Sequence, residues 1–128
     1  MSGKQRFFIC NSCGNLISFV ADKGGPMTCC GSAMTELVAN SVEASNEKHL
    51  PEVKVSGDTM NVQVGSVPHP MVDEHYIQFI YVETENGGQL KKLVPGNEPN
   101  AEFSFTNDKP VVVYEYCNLH GLWKTEVK

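Results

Sequence analysis

The sequence predicts a mainly β protein in two parts, a small cysteine-bound N-terminal piece followed by an antiparallel β-sandwich. Three observations lead there. Four of the five cysteines fall in the first 30 residues, as Cys10-x-x-Cys13 and the adjacent pair Cys29-Cys30. From Glu52 onward, short runs of alternating apolar residues recur between Gly-, Pro- and Asn-containing turns. Hydrophobic residues make up 41% and charged residues 20%, which excludes disorder, and no apolar run approaches the ~20 residues of a membrane span. At 128 residues the chain is one ordinary domain or two small ones.

In the N-terminal piece, extended segments are expected at Leu16 to Val20 and in the run into Cys29. The turn chemistry of Ala21-Asp22-Lys23-Gly24-Gly25-Pro26 separates them. The boundary falls near Glu36 to Asn40, giving domains 1–37 and 38–128. One or two helical turns are expected near Ser41 to Lys48, with Ser41 as cap. Val53 and Val55, then Met60, Val62 and Val64, read as a hairpin about Ser56-Gly57-Asp58. Further strands are expected at His75 to Thr84, Leu90 to Val94, Glu102 to Phe105, Val111 to Tyr116 and Leu122 to Val127. Their turns are Asn86-Gly87-Gly88, Pro95-Gly96-Asn97 and residues 106–110. Strands at this spacing suggest a small sandwich.

Net charge is −5, divided as +1 over residues 1–40 and −6 over the rest. No basic patch with interleaved aromatics is present, so nucleic acid is not an expected partner. An acidic domain repels small anions unless something local reverses the field. The start, MSGKQRFF, does not resemble a signal peptide, and a cytoplasmic protein is expected.

An odd cysteine count without an export signal argues against a disulfide framework. Two thiols at C-x-x-C spacing can turn back onto one ion, with Gly14 easing the turn; Gly31 follows the second pair. Cys10, Cys13, Cys29 and Cys30 therefore read as a four-thiolate metal site, similar to a zinc ribbon or a rubredoxin-type site without the second spacer. The residue types fit zinc or iron equally. A piece this small has too little core of its own and needs such a staple. The histidines are His49, His69, His75 and His120. A histidine taken alone is more often a satisfied core or surface residue than a ligand, but each of these lies at a loop or strand end. His69 is held between Pro68 and Pro70, and His120 follows Cys117 at C-x-x-H spacing.

With these residues in place, the sequence resembles the desulfoferrodoxin family, the two-iron form of superoxide reductase. Cys10-x-x-Cys13 with Cys29-Cys30, Glu47-Lys48-His49, His69-Pro70-Met71, His75-Tyr76 and Glu115-Tyr116-Cys117-Asn118-Leu119-His120-Gly121-Leu122-Trp123 carry the resemblance. It runs nearly end to end, and all nine Cys and His residues fall on family ligand positions. It implies two non-haem iron ions per chain. One would be held by Cys10, Cys13, Cys29 and Cys30 in a desulforedoxin-like domain, 1–37. The other would lie in an immunoglobulin-like sandwich, 38–128, with His49, His69, His75 and His120 in one plane, Cys117 as axial thiolate and the sixth position open. The implied activity is reduction of superoxide to hydrogen peroxide with one external electron and two protons. The implied electron donor is a protein such as rubredoxin, and the implied assembly is a homodimer.

Four neutral imidazoles and one thiolate leave a ferrous ion with a net charge of about +1, a cationic target for an anion in an acidic domain. Lys48 is assigned attraction and orientation of superoxide, and the ordering of water for proton delivery. The resemblance implies that Glu47 takes the sixth position in the oxidised resting state. Without the site they are a helix-end pair worth well under ~1 kcal/mol. The axial sulfur pushes electron density through the metal, as a haem thiolate does. Backbone N–H groups of Asn118 and Leu119 are expected near Cys117, with Met71, Tyr116 and Trp123 as a dry wall or as plain core.

Two other readings rank below this one. A structural zinc on an interaction sandwich predicts a colourless protein with one zinc. A blue-copper site at Cys117 and His120 wants a methionine shortly after the last histidine, and none follows.

Overall fold

The protein is described by a computed structural model covering residues 4–44 and 46–127. Met1 to Gly3, Ser45 and Lys128 lie outside the described residues, and Ser45 is one position of the expected helical segment. The described chain divides into two compact units between Val38 and Ala39.

The first unit holds β1 (Phe7–Ile9), β2 (Leu16–Ser18), β3 (Thr28–Cys29), β4 (Ser32–Ala33) and β5 (Thr35–Glu36). β1 is central, antiparallel to β2 and β5, and β3 pairs with β4. Its apolar content is slight. Phe7, Phe8 and Cys10 are its buried hydrophobic residues, and Phe8 meets Phe19 edge-on at 5.7 Å. Arg6 lies over the Phe8 ring at 5.0 Å and bonds Asp22 and Glu36 at 3.1 and 3.0 Å, tying the central strand to the 21–26 loop and to β5. Asp22 is held below the usual carboxylate range, first by the Gly24 N–H and then by Arg6; Glu36 is held low chiefly by Arg6.

Both carboxyls thus bind protons less readily folded than unfolded. Their contribution is present above the ordinary carboxylate range, about pH 4, and is lost as pH falls through the lower folded values. Arg6→Met is expected to move both titrations, followed by NMR in the metal-loaded protein, up toward ordinary values. Asp22 should move the less, since the Gly24 N–H remains.

The second unit begins with α1 (Asn46–His49), a single turn, followed by β6 (Pro51–Ser56), β7 (Thr59–Val64), β8 (Ile77–Thr84), β9 (Gly87–Lys92), β10 (Asn100–Ser104), β11 (Pro110–Cys117) and β12 (Gly121–Glu126). One sheet has the order β10-β7-β6 and the other β12-β11-β8-β9, with every pairing antiparallel. Met60, Val62, Val64 and Phe103 from the first sheet meet Ile77, Ile80, Val82, Val113 and Cys117 from the second in one buried core. This is the expected sandwich. Gln89 Nε2 donates to the Ser104 carbonyl at 2.8 Å, joining the β9 and β10 edges.

Three local expectations are corrected. The helical segment is shorter than Ser41 to Lys48, and Ser41 lies five residues before α1, so it is not the cap of that helix; four residues give no helical period to read. The β8–β9 turn is Glu85-Asn86, since Thr84 pairs with Gly87. Gly87 and Gly88 belong to β9, and the Tyr81 ring occupies the space a Cβ on Gly88 would need. The β6–β7 turn is as expected: Ser56 pairs with Thr59, and Gly57 supplies the positive φ (59°) of a two-residue hairpin loop.

Candidate metal centres

In the first unit, Cys10, Cys13, Cys29 and Cys30 converge, their sulfur atoms all within 4.8 Å of one another. The Cys10 carbonyl accepts the Gly14 N–H at 2.9 Å, and Gly14 takes φ +83°, which closes the turn after Cys13. Cys30 and Gly31 both have positive φ, 54° and 77°, so the β3–β4 turn swings two neighbouring thiols toward one point. Cys13 Sγ lies 3.6 Å from Cys29 Sγ, and Cys29 Sγ lies 3.9 Å from Cys30 Sγ. Those spacings are far beyond a disulfide. They match the edges, about 3.8 Å, of a tetrahedron of sulfurs ~2.3 Å from a central ion. Hydrogen bonds from the Cys13 and Ser12 N–H groups pull Cys10 down to about 6. Hydrogen bonding to the Cys10 and Cys13 thiols pushes Cys29 up to about 12. Four crowded sulfurs do not all shed protons by themselves; a cation among them makes that favourable.

In the second unit, His49, His69, His75, His120 and Cys117 meet at one end of the sandwich, donor atoms again all within 4.8 Å. Going round the rings His49, His69, His75 and His120, neighbouring centroids are 4.7, 4.6, 5.1 and 4.8 Å apart. The His49–His75 diagonal is 6.5 Å. The rings therefore stand close to a square. Neighbours cross at 76–88° and the diagonal pair lies within 30°, a pinwheel of imidazoles. His49 Nε2 lies 3.1 Å from His120 Nδ1 and 3.2 Å from His69 Nε2. Adjacent corners of a square of nitrogens ~2.1 Å from an ion are about 3.0 Å apart. Among the described residues His75 Nε2 is buried with no hydrogen-bond partner. Lone pairs crowded this closely, one of them orphaned, fit a metal at their centre.

Each donor is aimed by its surroundings. His49 ends α1, and Gly65 lets the following loop approach it: a Cβ there would lie 2.6 Å from the Glu47 carbonyl. His69 receives its backbone direction from its own N–H to the Val64 carbonyl, 2.8 Å. Its Nδ1–H donates to the Pro70 carbonyl at 2.7 Å, which leaves Nε2 as the inward acceptor. His75 exchanges two backbone bonds of 3.1 Å with Val72. Cys117 closes β11 just past a register shift in its pairing with β8. His120 lies in the turn before Gly121, whose φ is +83°. Asn118 joins this turn to the His75 segment: its N–H donates to the Tyr76 carbonyl, its side-chain oxygen accepts the Tyr76 N–H, and its Nδ2 donates to Glu74.

Electrostatics favours the neutral form of two of the rings, His69 and His75. Burial first, then the neighbouring histidines, bring His69 down to about 4; burial, His120 and Lys48 lower His75. Burial raises the Cys117 thiol, while the Leu119 and His120 N–H groups act to stabilise its thiolate. The expected Asn118 N–H is therefore not a partner of this sulfur, because it points to Tyr76. Met71 does not stand as a bare wall either: its sulfur accepts the Ile77 N–H at 3.3 Å while the side chain packs on the core. Tyr116 points to the opposite face of β11 from Cys117 and stacks on Phe79 at 6.0 Å. Glu47 and Lys48 are exposed on α1 beside buried His49.

Two residues near the centre were not read as functional from sequence. Trp123 stacks on His49, and Glu115, fully buried, shares the inward parity of Val113 and Cys117, with no hydrogen-bond partner for its carboxyl oxygens among the described residues. Burial raises the Glu115 carboxyl well above its ordinary value. The period of two along β11 was the available signal.

Comparison with known proteins gives the same picture. The desulfoferrodoxin family model matches residues 41–126. The desulfoferrodoxin of Syntrophotalea carbinolica is 40% identical over 126 residues, 98% of this chain and 99% of its own. The crystal structure of the superoxide reductase from Treponema pallidum is similar with a TM-score of 0.81 and 36% identity, covering 97% of this chain and 100% of that one. The one-iron superoxide reductase of Giardia intestinalis matches at a TM-score of 0.54 and 33% identity, covering 64% of this chain and 98% of its own. A whole-length relative, a family match over the sandwich, and two clusters of donors at the positions expected of two iron sites lead to one conclusion: the chain belongs to the desulfoferrodoxin family.

Proposed function

We propose that this protein is a superoxide reductase, an oxidoreductase that converts superoxide to hydrogen peroxide. The single observation that carries the reading is the square of four imidazoles beside one buried cysteine. His49, His69, His75, His120 and Cys117 would hold one iron, and Cys10, Cys13, Cys29 and Cys30 the other. Iron in the five-donor group supplies a single electron and a cationic place for superoxide.

The chain's own residues do the rest. Of the five donors only Cys117 brings a negative charge, so the loaded centre stays positive within a sequence of net charge −5. Lys48, whose charge already reaches His75, adds a second cation on that side and attracts and orients the anion. Its ammonium also orders the water that delivers protons to the product. Glu47, one residue along the same exposed turn, is the carboxylate assigned to the open position in the oxidised resting state. The Leu119 and His120 N–H groups hold charge on the Cys117 sulfur and set its donor strength. The finer parts rest on the family resemblance: an electron donor such as rubredoxin, a homodimer and a cytoplasmic location. Among the described residues no helix is long and apolar enough to cross a membrane.

The test is iron and zinc analysis of the purified protein, visible spectra before and after oxidation, and superoxide consumption. Two irons per chain, one giving a thiolate-to-ferric band only on oxidation, are expected; a colourless one-zinc protein contradicts the reading. Lys48→Ile is expected to slow the reaction with superoxide about tenfold at low ionic strength and to flatten its salt dependence. An unchanged rate and salt slope remove Lys48 from the mechanism.

A further inference from the structure

We propose that Trp123 is a positioning residue for the five-donor centre, one rigid side chain that fixes two adjacent corners of the imidazole square. The inference rests on the reading that this group holds iron. Trp123 is 2% exposed on β12, and its ring lies on the His49 ring at 5.0 Å and 24°. Its Nε1–H donates to the His120 carbonyl at 3.1 Å. His49 and His120 are 71 residues apart in sequence, one on α1 and the other in the β11–β12 turn. Their donor nitrogens must nevertheless stay 3.1 Å apart.

Each imidazole needs something to stop it turning about its own bonds. His69 has the Pro70 carbonyl on its outer nitrogen. For His49 the flat indole supplies a wall along the ring face, and for His120 the indole N–H anchors the backbone that carries the ring. A centre with an open position lacks the sixth donor that would otherwise hold its geometry, so the burden on such outer supports is larger. The β11–β12 register places Trp123 opposite Glu115, so the indole packs from a paired strand interior and not from a loop.

Trp123 is the single tryptophan of the chain, which makes it a reporter of its own contact. In the intact protein, prepared without iron in the five-donor group and then loaded anaerobically with ferrous iron, indole emission should fall as that group fills. Emission indifferent to loading overturns the proposal without any variant. The second readout is the rate at which iron leaves the reduced, loaded protein to a chelator. Trp123→Leu removes stack and hydrogen bond, and iron should leave the five-donor group about 10- to 100-fold faster. The four-cysteine iron, an internal control, should leave at the wild-type rate.

Trp123→Phe keeps an apolar ring and loses the N–H. It should stay folded, release iron at an intermediate rate and shift the thiolate-to-ferric band of the oxidised protein. If Trp123→Leu does not fold, the Phe variant decides. Wild-type iron retention and an unchanged band in the Phe variant overturn the proposal, as does equal acceleration at both iron sites. Failure of the parent reading looks different: wild-type protein that takes iron into the five-donor group yet consumes no superoxide.

Discussion

Cys117→Ser is expected to lower superoxide consumption by about 100-fold or more while leaving the four-cysteine group loaded and coloured. The size of the effect follows from charge and geometry together. Cys117 is fully buried, and among the five converging donors it is the one that can carry a negative charge. A serine hydroxyl of nearly the same shape does not ionise at neutral pH, so the donor set becomes neutral. The Leu119 and His120 N–H groups that face the sulfur would then point at a group with no charge to stabilise. The sandwich should survive, since the substitution leaves β11 and its pairings intact. Iron analysis, the oxidised visible spectrum and the superoxide rate check this together. A variant that keeps both the thiolate-to-ferric band and the wild-type rate would show that sulfur is not a donor there.

The largest stability effect is expected for Phe103→Ala. Phe103 is 1% exposed on β10, opposite Met60 of β7, and both side chains belong to the core between the two sheets. Removing a ring from such a site costs about 3–5 kcal/mol, because the lining cannot collapse onto the void. In a domain of this size that lowers the midpoint of thermal unfolding by roughly 12 °C or more. Denaturant unfolding followed by Trp123 emission measures it directly. A loss below ~1 kcal/mol would mean that the two sheets do not share the packed interior seen between Phe103, Met60 and Ile80. Three of the five donors hang from connections leaving these sheets, at His69, His75 and His120. The variant should therefore also release iron faster from the five-donor group.

Much of this was legible before any coordinates. The alternation of Met60, Val62 and Val64 gave a strand and its buried face, and Gly57 gave the turn, because period and punctuation are local signals. The C-x-x-C and Cys-Cys pairs announced convergence at a metal for the same reason: both ends of each pair are close in sequence. The His square was not legible from local signals. Its corners are separated by up to 71 residues, and only family resemblance pointed to their meeting. What sequence alone missed were groups whose role depends on which way a side chain faces. Tyr116 and Trp123 were placed together as wall or core, yet Tyr116 turns outward onto Phe79 and Trp123 inward onto His49. The Asn118 N–H, expected at the thiolate, instead bonds Tyr76, while its side-chain amide bridges Tyr76 and Glu74. Glu115 shares inward parity with Cys117, a signal present in the strand pattern, although glutamate is among the residue types least often buried without a partner.

The most direct test of the central claim is diffraction from crystals of the reduced, iron-loaded protein, with anomalous data collected at the iron edge. The account predicts two iron peaks per chain. One should lie among Cys10, Cys13, Cys29 and Cys30, and the other inside the ring of His49, His69, His75 and His120 with the Cys117 sulfur beside it. A single peak, or a second one with any of those four imidazoles turned away, would contradict it.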